Sequence, residues 1–202
     1  MSIFEGARIA VLDTETTGLD PGLGHALIEV ACVMLDGGGI GESWSTLVNP
    51  DRPIPPDASA VHGITDLMVR DAPGPAVVAI ELERRCAGLP LVFHNAAFDL
   101  PFLAALLRRG GRPPLFHAVV DTLGLARGLF DQGGNSLGAL AARFGLPAET
   151  QHRALGDALT TARLLRLLAA RWESERGVRT VAELAAASLD ALRLTSRRSR
   201  AG

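Results

Sequence analysis

The distribution of apolar residues over the first half of the chain predicts the strands of a sheet. Residues 8–13 carry apolar side chains on both faces, which is typical of a strand in the middle of a sheet. Further strands are expected at residues 25–35, 44–48, 89–94 and 118–121. Because the first three strands follow one another closely and the turn Gly37-Gly38-Gly39 joins two of them, we expect an antiparallel meander.

Apolar residues at helical spacing dominate the second half of the chain. They predict helices at residues 75–86, 122–130, 154–172 and 181–194, one helix that ends near Arg109 and one that ends at Phe144. Gly110, Gly111 and Gly145 follow two of these helices as stop signals. Strands that come first and then alternate with helices favour an α/β fold, with a mixed β-sheet flanked by helices.

Short polar residues indicate where several helices begin. Thr65 and Asn95 are candidate N-caps, and either Asn135 or Ser136 is expected to cap the helix that ends at Phe144. Residues 195–202 include three arginines and are expected to form a solvated tail.

Length and composition favour a single catalytic domain. The chain has 202 residues, of which 48% are hydrophobic, enough for a substantial core. We expect residues 1–175 to form this domain and residues 176–202 to add a C-terminal helix and the basic tail. Cys32 and Cys86 lie in apolar segments, so we interpret them as reduced core thiols.

Charge and hydropathy bear on location and on the class of substrate. No apolar stretch is long enough to span a membrane, and residues 1–6 lack the features of a signal peptide, so we expect a cytoplasmic protein. The net charge of −2 does not by itself indicate nucleic-acid binding. An enzyme that acts on phosphates can nevertheless be acidic overall when metal ions supply the positive charge.

A first candidate site lies at the end of the first strand, where residues 13–18 read Asp-Thr-Glu-Thr-Thr-Gly. Because side chains alternate along a strand, Asp13 and Glu15 point to the same face. Two acids in a strand-end turn are most often structural. Here the small polar residues that follow offer backbone N–H groups to a ligand oxygen, and this context favours a metal site.

A second candidate lies where the fourth strand passes into a helix, in the segment His-Asn-Ala-Ala-Phe-Asp at residues 94–99. Asp99 is expected in the first helical turn, where an acid also stabilises the helix by about 0.3–1 kcal/mol. Structural and functional roles are therefore both open for Asp99, and equally for His94 and Asn95. Phe98 is either a core residue or a wall beside a nucleotide base.

A third candidate is the pair His152 and Asp157 at the start of a long helix. Asp157 adjoins the apolar stripe of that helix, so its carboxylate is expected to be partly buried. His152 comes five positions earlier, about 140° away around a helix. Both side chains can reach one centre only if His152 stands on the loop before the helix. A lone histidine there is more often a surface residue.

A fourth element is the segment Val-His-Gly-Ile-Thr at residues 61–65, which contains His62. Asp57 lies about one turn upstream of it. By themselves, these residues are equally well explained as a plain loop with a helix cap.

Together the motifs resemble the DnaQ-like 3′→5′ exonucleases of the DEDD group, and in particular the proofreading epsilon subunits of bacterial DNA polymerase III. The four segments, with the last read as His-x-x-x-x-Asp, occur in family order within residues 8–172. Each segment is weak alone, but the ordered set is highly specific. His152 and the absence of tyrosine from the chain match the histidine subclass of the group (DEDDh).

The resemblance implies a ribonuclease H-like fold and a site for two Mg²⁺ or Mn²⁺ ions. Asp13 would bind both ions, and Glu15 and Asp157 would complete the tighter site. Asp99 would hold the second ion, and His152 would be the general base. The residues implied in binding the terminal nucleotides are Thr16, Thr17, Gly18, Leu19, Asp57, His62, Asn95 and Phe98.

The implied function is hydrolysis of phosphodiester bonds at nucleic-acid 3′ ends, most simply of single-stranded or frayed DNA in proofreading or repair, with release of nucleoside 5′-monophosphates. Trimming of RNA or short oligonucleotides is an open alternative, because no residue separates the two. A partner-binding module with a decayed site is disfavoured, because all four acids and His152 are present. Only about thirty residues follow Trp172, which favours a stand-alone exonuclease but leaves a DNA polymerase partner open.

Overall fold

A five-stranded mixed sheet forms the centre of the computed structural model, which describes residues 2–115, 117–130 and 132–201, with side chains up to Thr195. Its strands are β1 (Arg8–Thr16), β2 (Leu27–Asp36), β3 (Gly39–Leu47), β4 (Leu91–Phe93) and β5 (Val119–Asp121). The order across the sheet is β3-β2-β1-β4-β5. The first three strands are antiparallel, whereas β4 and β5 run parallel to β1. The predicted mixed sheet and its antiparallel meander are therefore confirmed.

Helices cover both faces of the sheet and one of its edges. They are α1 (Pro56–His62), α2 (Asp66–Val69), α3 (Pro75–Cys86), α4 (Ala96–Arg109), α5 (Thr122–Leu129), α6 (Leu137–Arg143), α7 (Ala154–Arg176) and α8 (Val181–Ala201). A short 3₁₀ helix, Pro21–Leu23, follows β1. In the part of the chain with described structure, no helix combines the length and the apolar character needed to cross a bilayer.

The sheet separates two hydrophobic cores. On one face, alternate β1 residues such as Ile9 and Val11 pack against α7. On the other face, Ala10 and Leu12 pack with the buried residues of α3 and α4. Because β1 is buried on both sides, its carboxyl end is held rigidly between the two layers of helices.

Helix α8 covers the β5 edge of the sheet and packs against α5. Leu184 and Ser188 are buried in this contact, and the backbone N–H of Asp121 donates to Ser188 Oγ over 3.2 Å. A side chain at Gly124 would approach the Ser188 carbonyl oxygen to 2.2 Å, so a glycine is needed there. The C-terminal helix thus packs on its own fold and protects an edge strand from pairing with other chains.

One helix is longer than expected, and one predicted cap is wrong. Helix α8 continues past the predicted end at residue 194 as far as Ala201, because residues 195–201 contain no glycine or proline to stop it. Solvation of residues 195–202 stays a prediction. Thr65 precedes α2, but its side chain makes no capping hydrogen bond. Ser136 does cap α6, accepting from the Ala139 N–H over 3.4 Å. The boundary near residue 175 stays a prediction.

Candidate active site

Three carboxylates converge at the carboxyl end of β1. Asp13 and Glu15 lie on the face of β1 that packs against α7, and Asp157 lies in the first turn of α7. One carboxylate oxygen from each residue lies within 4.8 Å of the other two. The alternation of side chains along β1 and the docking of α7 on this face therefore produce an oxygen-lined group. We call Asp13, Glu15 and Asp157 the acidic group.

Asp99 approaches from the opposite face of the sheet. It is buried in the first turn of α4, and its Oδ1 accepts a hydrogen bond of 2.8 Å from Thr14 Oγ1. Thr14 points away from the acidic group because it alternates with Asp13 along β1. Asp99 is nevertheless close enough for its charge to raise the pKa of Asp13. The fourth predicted acid thus lies beside the acidic group rather than within it.

Burial is the largest cause of a raised pKa in all four carboxyl groups, and nearby negative charges raise each pKa further. The pKa of Glu15 rises to about 8, first because of burial and then because of the charge on Asp157. Burial raises the pKa of Asp99 to about 7. The pKa values of Asp13 and Asp157 are also raised, with burial the largest cause. In the protein without metal, ionisation of Glu15 in particular is therefore disfavoured at neutral pH.

Divalent cations fit this chemistry. Carboxylate oxygens are the ligands that Mg²⁺ and Mn²⁺ prefer. A cation placed among Asp13, Glu15 and Asp157 would offset both the burial and the repulsion that raise their pKa values, and would favour the ionised form of all three. Partly buried acids so close together are costly without such a partner. The donor set therefore meets the requirements of a hard divalent ion.

His152 stands on the turn before α7, as its spacing from Asp157 predicts. Its φ is 55°, in the left-handed region, which costs a non-glycine residue about 1–3 kcal/mol. Its backbone N–H donates to Asp157 Oδ2 over 3.0 Å. The residue is exposed and lines the same cleft as Asp13. The structure thus brings His152 to the acidic group while leaving it accessible to solvent.

An ion pair between a buried acid and a partly exposed arginine, which the sequence analysis missed, lies beside this turn. Glu29 on β2 is directly opposite Glu15 in the antiparallel register and is only 4% exposed. Arg153 donates to both of its carboxylate oxygens, over 2.7 and 3.1 Å. The backbone N–H of Ala154 donates to the same carboxylate over 2.9 Å. A charged residue in the otherwise apolar run from Leu27 to Leu35 was the available signal.

Asp121 was also missed, and it corrects the prediction for Asn95. The Asn95 side chain does not cap α4, and its backbone is left-handed, with a φ of 73°. Instead the buried Asp121 carboxylate accepts from the backbone N–H groups of Asn95, Ala96 and Leu123, each over 2.9 Å. One side chain from β5 therefore holds the starts of both α4 and α5, and it fixes the helix that carries Asp99.

The turn after β1 is tightly built. Thr16 Oγ1 donates to the Gly18 carbonyl over 2.6 Å, and Thr17 is almost fully buried. A side chain at Gly18 would come within 2.3 Å of the His25 ring, so only glycine fits. Leu19 follows and is 84% exposed. The turn that follows the acidic residues of β1 therefore presents an apolar side chain to solvent.

The remaining predicted residues occupy different environments. His62 is buried, its Nδ1 accepts the Ile64 N–H over 3.0 Å, and its Nε2 is buried without a partner among the described atoms. Phe98 is half-buried and packs on Phe102, with ring centroids 5.4 Å apart. Asp57 is exposed in the first turn of α1. Phe98 therefore contributes to the core whatever else it does.

A cleft of about 670 Å³ runs over the acidic group. Its lining includes Asp13, Asp157, His152, Asn95 and Arg127. In the described part of the chain, the cleft lining does not include Leu19, Asp57 or His62. The cleft thus brings together Asp13, Asp157 and His152, whereas Glu15, Asp99 and, among the described residues, every predicted substrate residue except Asn95 lie outside its lining.

Comparison with known proteins identifies the family. Residues 10–165 match the model of the RNase T family, described as exonuclease. The chain belongs to this exonuclease family, and the resemblance to DnaQ-like 3′→5′ exonucleases is confirmed. The matched segment begins in β1 and ends in α7, so it contains all four acids and His152.

Several curated relatives carry DNA polymerase III names. The chain is 37% identical over 179 residues to the DNA polymerase III subunit epsilon of Treponema pallidum, covering 87% of this chain and 83% of that protein. It is 45% identical over 166 residues to a DNA polymerase III subunit epsilon-like protein of Rhodobacter capsulatus, covering 79% of this chain but only 23% of that protein. The chain thus spans most of one relative and about a quarter of the other.

Solved structures of exonucleases share the fold. Exonuclease X in complex with 5′ overhanging duplex DNA is 33% identical, with a TM-score of 0.68, and the match covers 89% of this chain and 99% of that one. The zinc-bound complex of E. coli ExoI with single-stranded DNA has a TM-score of 0.74 at 19% identity, over 86% of this chain and 42% of that one. These matches confirm the α/β, ribonuclease H-like fold.

Proposed function

We propose that this protein is a metal-dependent 3′→5′ exonuclease that hydrolyses nucleic acid from its 3′ end and releases nucleoside 5′-monophosphates. The observation that carries the proposal is the convergence of Asp13, Glu15 and Asp157 beside the solvent-accessible His152. Membership of the exonuclease family supports the same reading. A binding module with a decayed site is disfavoured, because every acid and the histidine are retained.

Two divalent ions, Mg²⁺ or Mn²⁺, are the proposed cofactors. Asp13, Glu15 and Asp157 would hold one ion, and Asp13 together with Asp99 would hold the other. When bound, such ions supply the positive charge that activates water and stabilises the leaving 3′-oxygen. The raised pKa values of Glu15 and Asp99 support this assignment, because burial disfavours their charged forms and a bound cation would compensate that cost.

His152 is the proposed general base. It would take a proton from the attacking water at a ring nitrogen and pass it to solvent, which its exposure allows. Its backbone is tied to Asp157 by the hydrogen bond from its N–H. The base is therefore anchored to a proposed metal ligand while its side chain stays accessible.

Attack from the 3′ end requires a site that recognises a chain terminus. Thr16, Thr17 and Gly18 would orient the terminal 3′-hydroxyl, and Leu19 would wedge beside the last base. The exposure of Leu19 supports this role, because an exposed apolar side chain is stabilised when it packs against the face of a base and leaves water. His62 and Asp57 would approach the terminal nucleotide, and Asn95 and Phe98 the penultimate one.

DNA is the favoured substrate, as a single strand or a frayed end, in proofreading or repair. The structure of Exonuclease X contains duplex DNA and one ExoI structure contains single-stranded DNA. Association with a DNA polymerase is a further proposal that rests on the names of the relatives. The alternative substrate is RNA or short oligonucleotides, since the same site could trim either polymer.

Degradation of 5′-labelled substrates tests the proposal. Single-stranded DNA, a duplex with a mismatched 3′ end and the matching RNA would each be incubated with Mg²⁺ or Mn²⁺. We expect a ladder that shortens from the 3′ end, release of 5′-monophosphates and loss of activity with EDTA. Asp13→Asn should abolish turnover, whereas Asp36→Asn, a change at an exposed acid far along β2, should retain it.

Two further substrates determine the direction of attack. A strand with a blocked 3′-hydroxyl should resist degradation, and a circular single strand should stay intact. Efficient cutting of the circle would instead indicate an endonuclease. Full activity in EDTA, or in Asp13→Asn, would contradict the metal assignment.

A further inference from the structure

Glu29 is an acid with no role in the proposed chemistry, although it lies next to the acidic group. It stands in the middle of β2, whose other residues from Leu27 to Leu35 are buried and apolar. It faces the same side of the sheet as Glu15, because the two residues are directly opposite in the register. Its charge raises the pKa values of the acidic group. Burying an acid beside other acids costs free energy, so its interactions with other groups must offset that cost.

The hydrogen bonds of Glu29 make it unsuited to bind a cation. Arg153 engages both carboxylate oxygens, and the Ala154 N–H adds a third bond. Such bidentate pairs fix both partners in orientation. Glu29 does not belong to the acidic group of the described residues. Its carboxylate is therefore occupied by the segment that leads into α7.

The backbone that Glu29 holds is the segment that follows His152. Arg153 is the N-cap residue of α7 and offers no capping side chain of its own. Glu29 takes over that function from a neighbouring strand by accepting the Ala154 N–H. On the other side, the His152 N–H is held by Asp157. His152 is thus fixed between two carboxylates, in a left-handed conformation that needs such support.

We propose that Glu29 and Arg153 are positioning residues for His152. The pair holds the turn before α7 so that the imidazole stays beside the acidic group and over the cleft. This inference rests on the proposed function, because it assigns a purpose to the general base. It adds Glu29 and Arg153 to the four acids and His152 of the proposed active site. Both would act through His152 rather than by contact with substrate.

Steady-state kinetics of Glu29→Gln on single-stranded DNA test the inference. Glutamine keeps the size of the side chain but removes the charge that binds Arg153. Loss of a supporting partner typically costs about tenfold to a hundredfold in activity. We therefore expect kcat at saturating Mn²⁺ to fall by about that factor, with KM unchanged. Glu81→Gln, which breaks the Arg84 and Arg85 ion pairs on the other face of the sheet, should leave kcat unchanged.

A double variant separates positioning from simple stabilisation. If Glu29 acts through His152, then Glu29→Gln added to His152→Ala should cause no further loss of kcat. A purely structural role would lower kcat by the same factor in both backgrounds. Arg153→Lys should retain more activity than Arg153→Met, because lysine keeps the positive charge that faces Glu29. It should still be less active than the wild type, because lysine cannot bind both carboxylate oxygens at once as arginine does. The Arg153 variants keep the test decisive if Glu29→Gln does not fold.

Several results would overturn the inference. One is a wild-type kcat in Glu29→Gln or in Arg153→Met. Another is an additive loss in the double variant with His152→Ala. A third is recovery of the wild-type kcat in Glu29→Gln at high Mn²⁺ concentration, which would place the effect on metal binding. Failure of the wild-type enzyme to release nucleotides would instead count against the proposed function.

Discussion

At the scale of single residues, the candidate site consists of buried and partly buried acidic side chains. The period of two along β1 is enough to predict that Asp13 and Glu15 share a face. The five-residue spacing predicts that His152 stands on a turn if it is to meet Asp157. The ion pair between Glu29 and Arg153 could not be predicted from sequence, because 124 positions separate the two residues. Long-range partners of this kind are defined only by the packing of α7 on β2.

The role of His152 can be tested by truncating its side chain. His152→Ala should lower the rate constant by about 10²–10⁴-fold, because the attacking water loses its proton acceptor. Mn²⁺ affinity should change little, since the histidine is not one of the proposed ligands. Single-turnover rates between pH 6 and 9, together with a binding titration, provide the measurement. A variant with an unchanged rate over that range would remove the general-base assignment.

At the scale of elements, the sequence located all five strands and the longer helices, and it predicted both ends of α3 and the starts of α7 and α8, but it missed the ends of several other elements. β1 continues three residues past Asp13 to Thr16, because pairing with β2 carries it through the acidic turn. β4 is shorter than expected, only Leu91–Phe93. The source of capping was also misjudged at α4, since the cap comes from Asp121 on another strand. Local sequence favours a helix start but does not show which neighbour satisfies its N–H groups.

Asp121 should therefore matter for stability beyond its own strand. Asp121→Ala leaves three backbone N–H groups without their partner, at the starts of α4 and α5. Loss of one such cap costs about 0.5–2 kcal/mol, so we expect a decrease of about 2 kcal/mol or more in the free energy of unfolding. Urea denaturation is the measurement. Asp36→Ala, at an exposed acid, should change stability by less than about 0.5 kcal/mol and is the matched control.

At the scale of the whole molecule, the buried carboxyl groups of the site lower the free energy of unfolding of the metal-free protein when they ionise. The pKa of Glu15 is raised from 4.5 to about 8. A carboxyl group whose pKa is higher in the folded than in the unfolded state binds more protons when folded. It therefore favours folding at low pH, and that contribution is lost as the pH rises through its folded pKa. The raised pKa values of Asp13, Asp99 and Asp157 act in the same direction.

Thermal unfolding of the metal-free protein should show this loss of stability as the pH rises. Its Tm should fall as the pH rises from about 4.5 to about 8, and Glu15→Gln should flatten that dependence. Mg²⁺ should restore stability most strongly at the upper end, by about 2.7 kcal/mol at a hundredfold excess over its dissociation constant. A metal-free Tm that rises steadily through this range, or that Mg²⁺ leaves unchanged, would contradict the account.

The most direct test of the central claim is a calorimetric titration of Mn²⁺ into the wild-type protein, Asp13→Asn and Asp36→Asn at neutral pH. We predict that the wild type and Asp36→Asn bind Mn²⁺ with equal affinity. Both should release protons on binding, because the raised pKa values of the acids fall when the ion binds. Asp13→Asn should bind at least tenfold more weakly. Wild-type affinity and stoichiometry in Asp13→Asn would show that the converging carboxylates are not a metal centre.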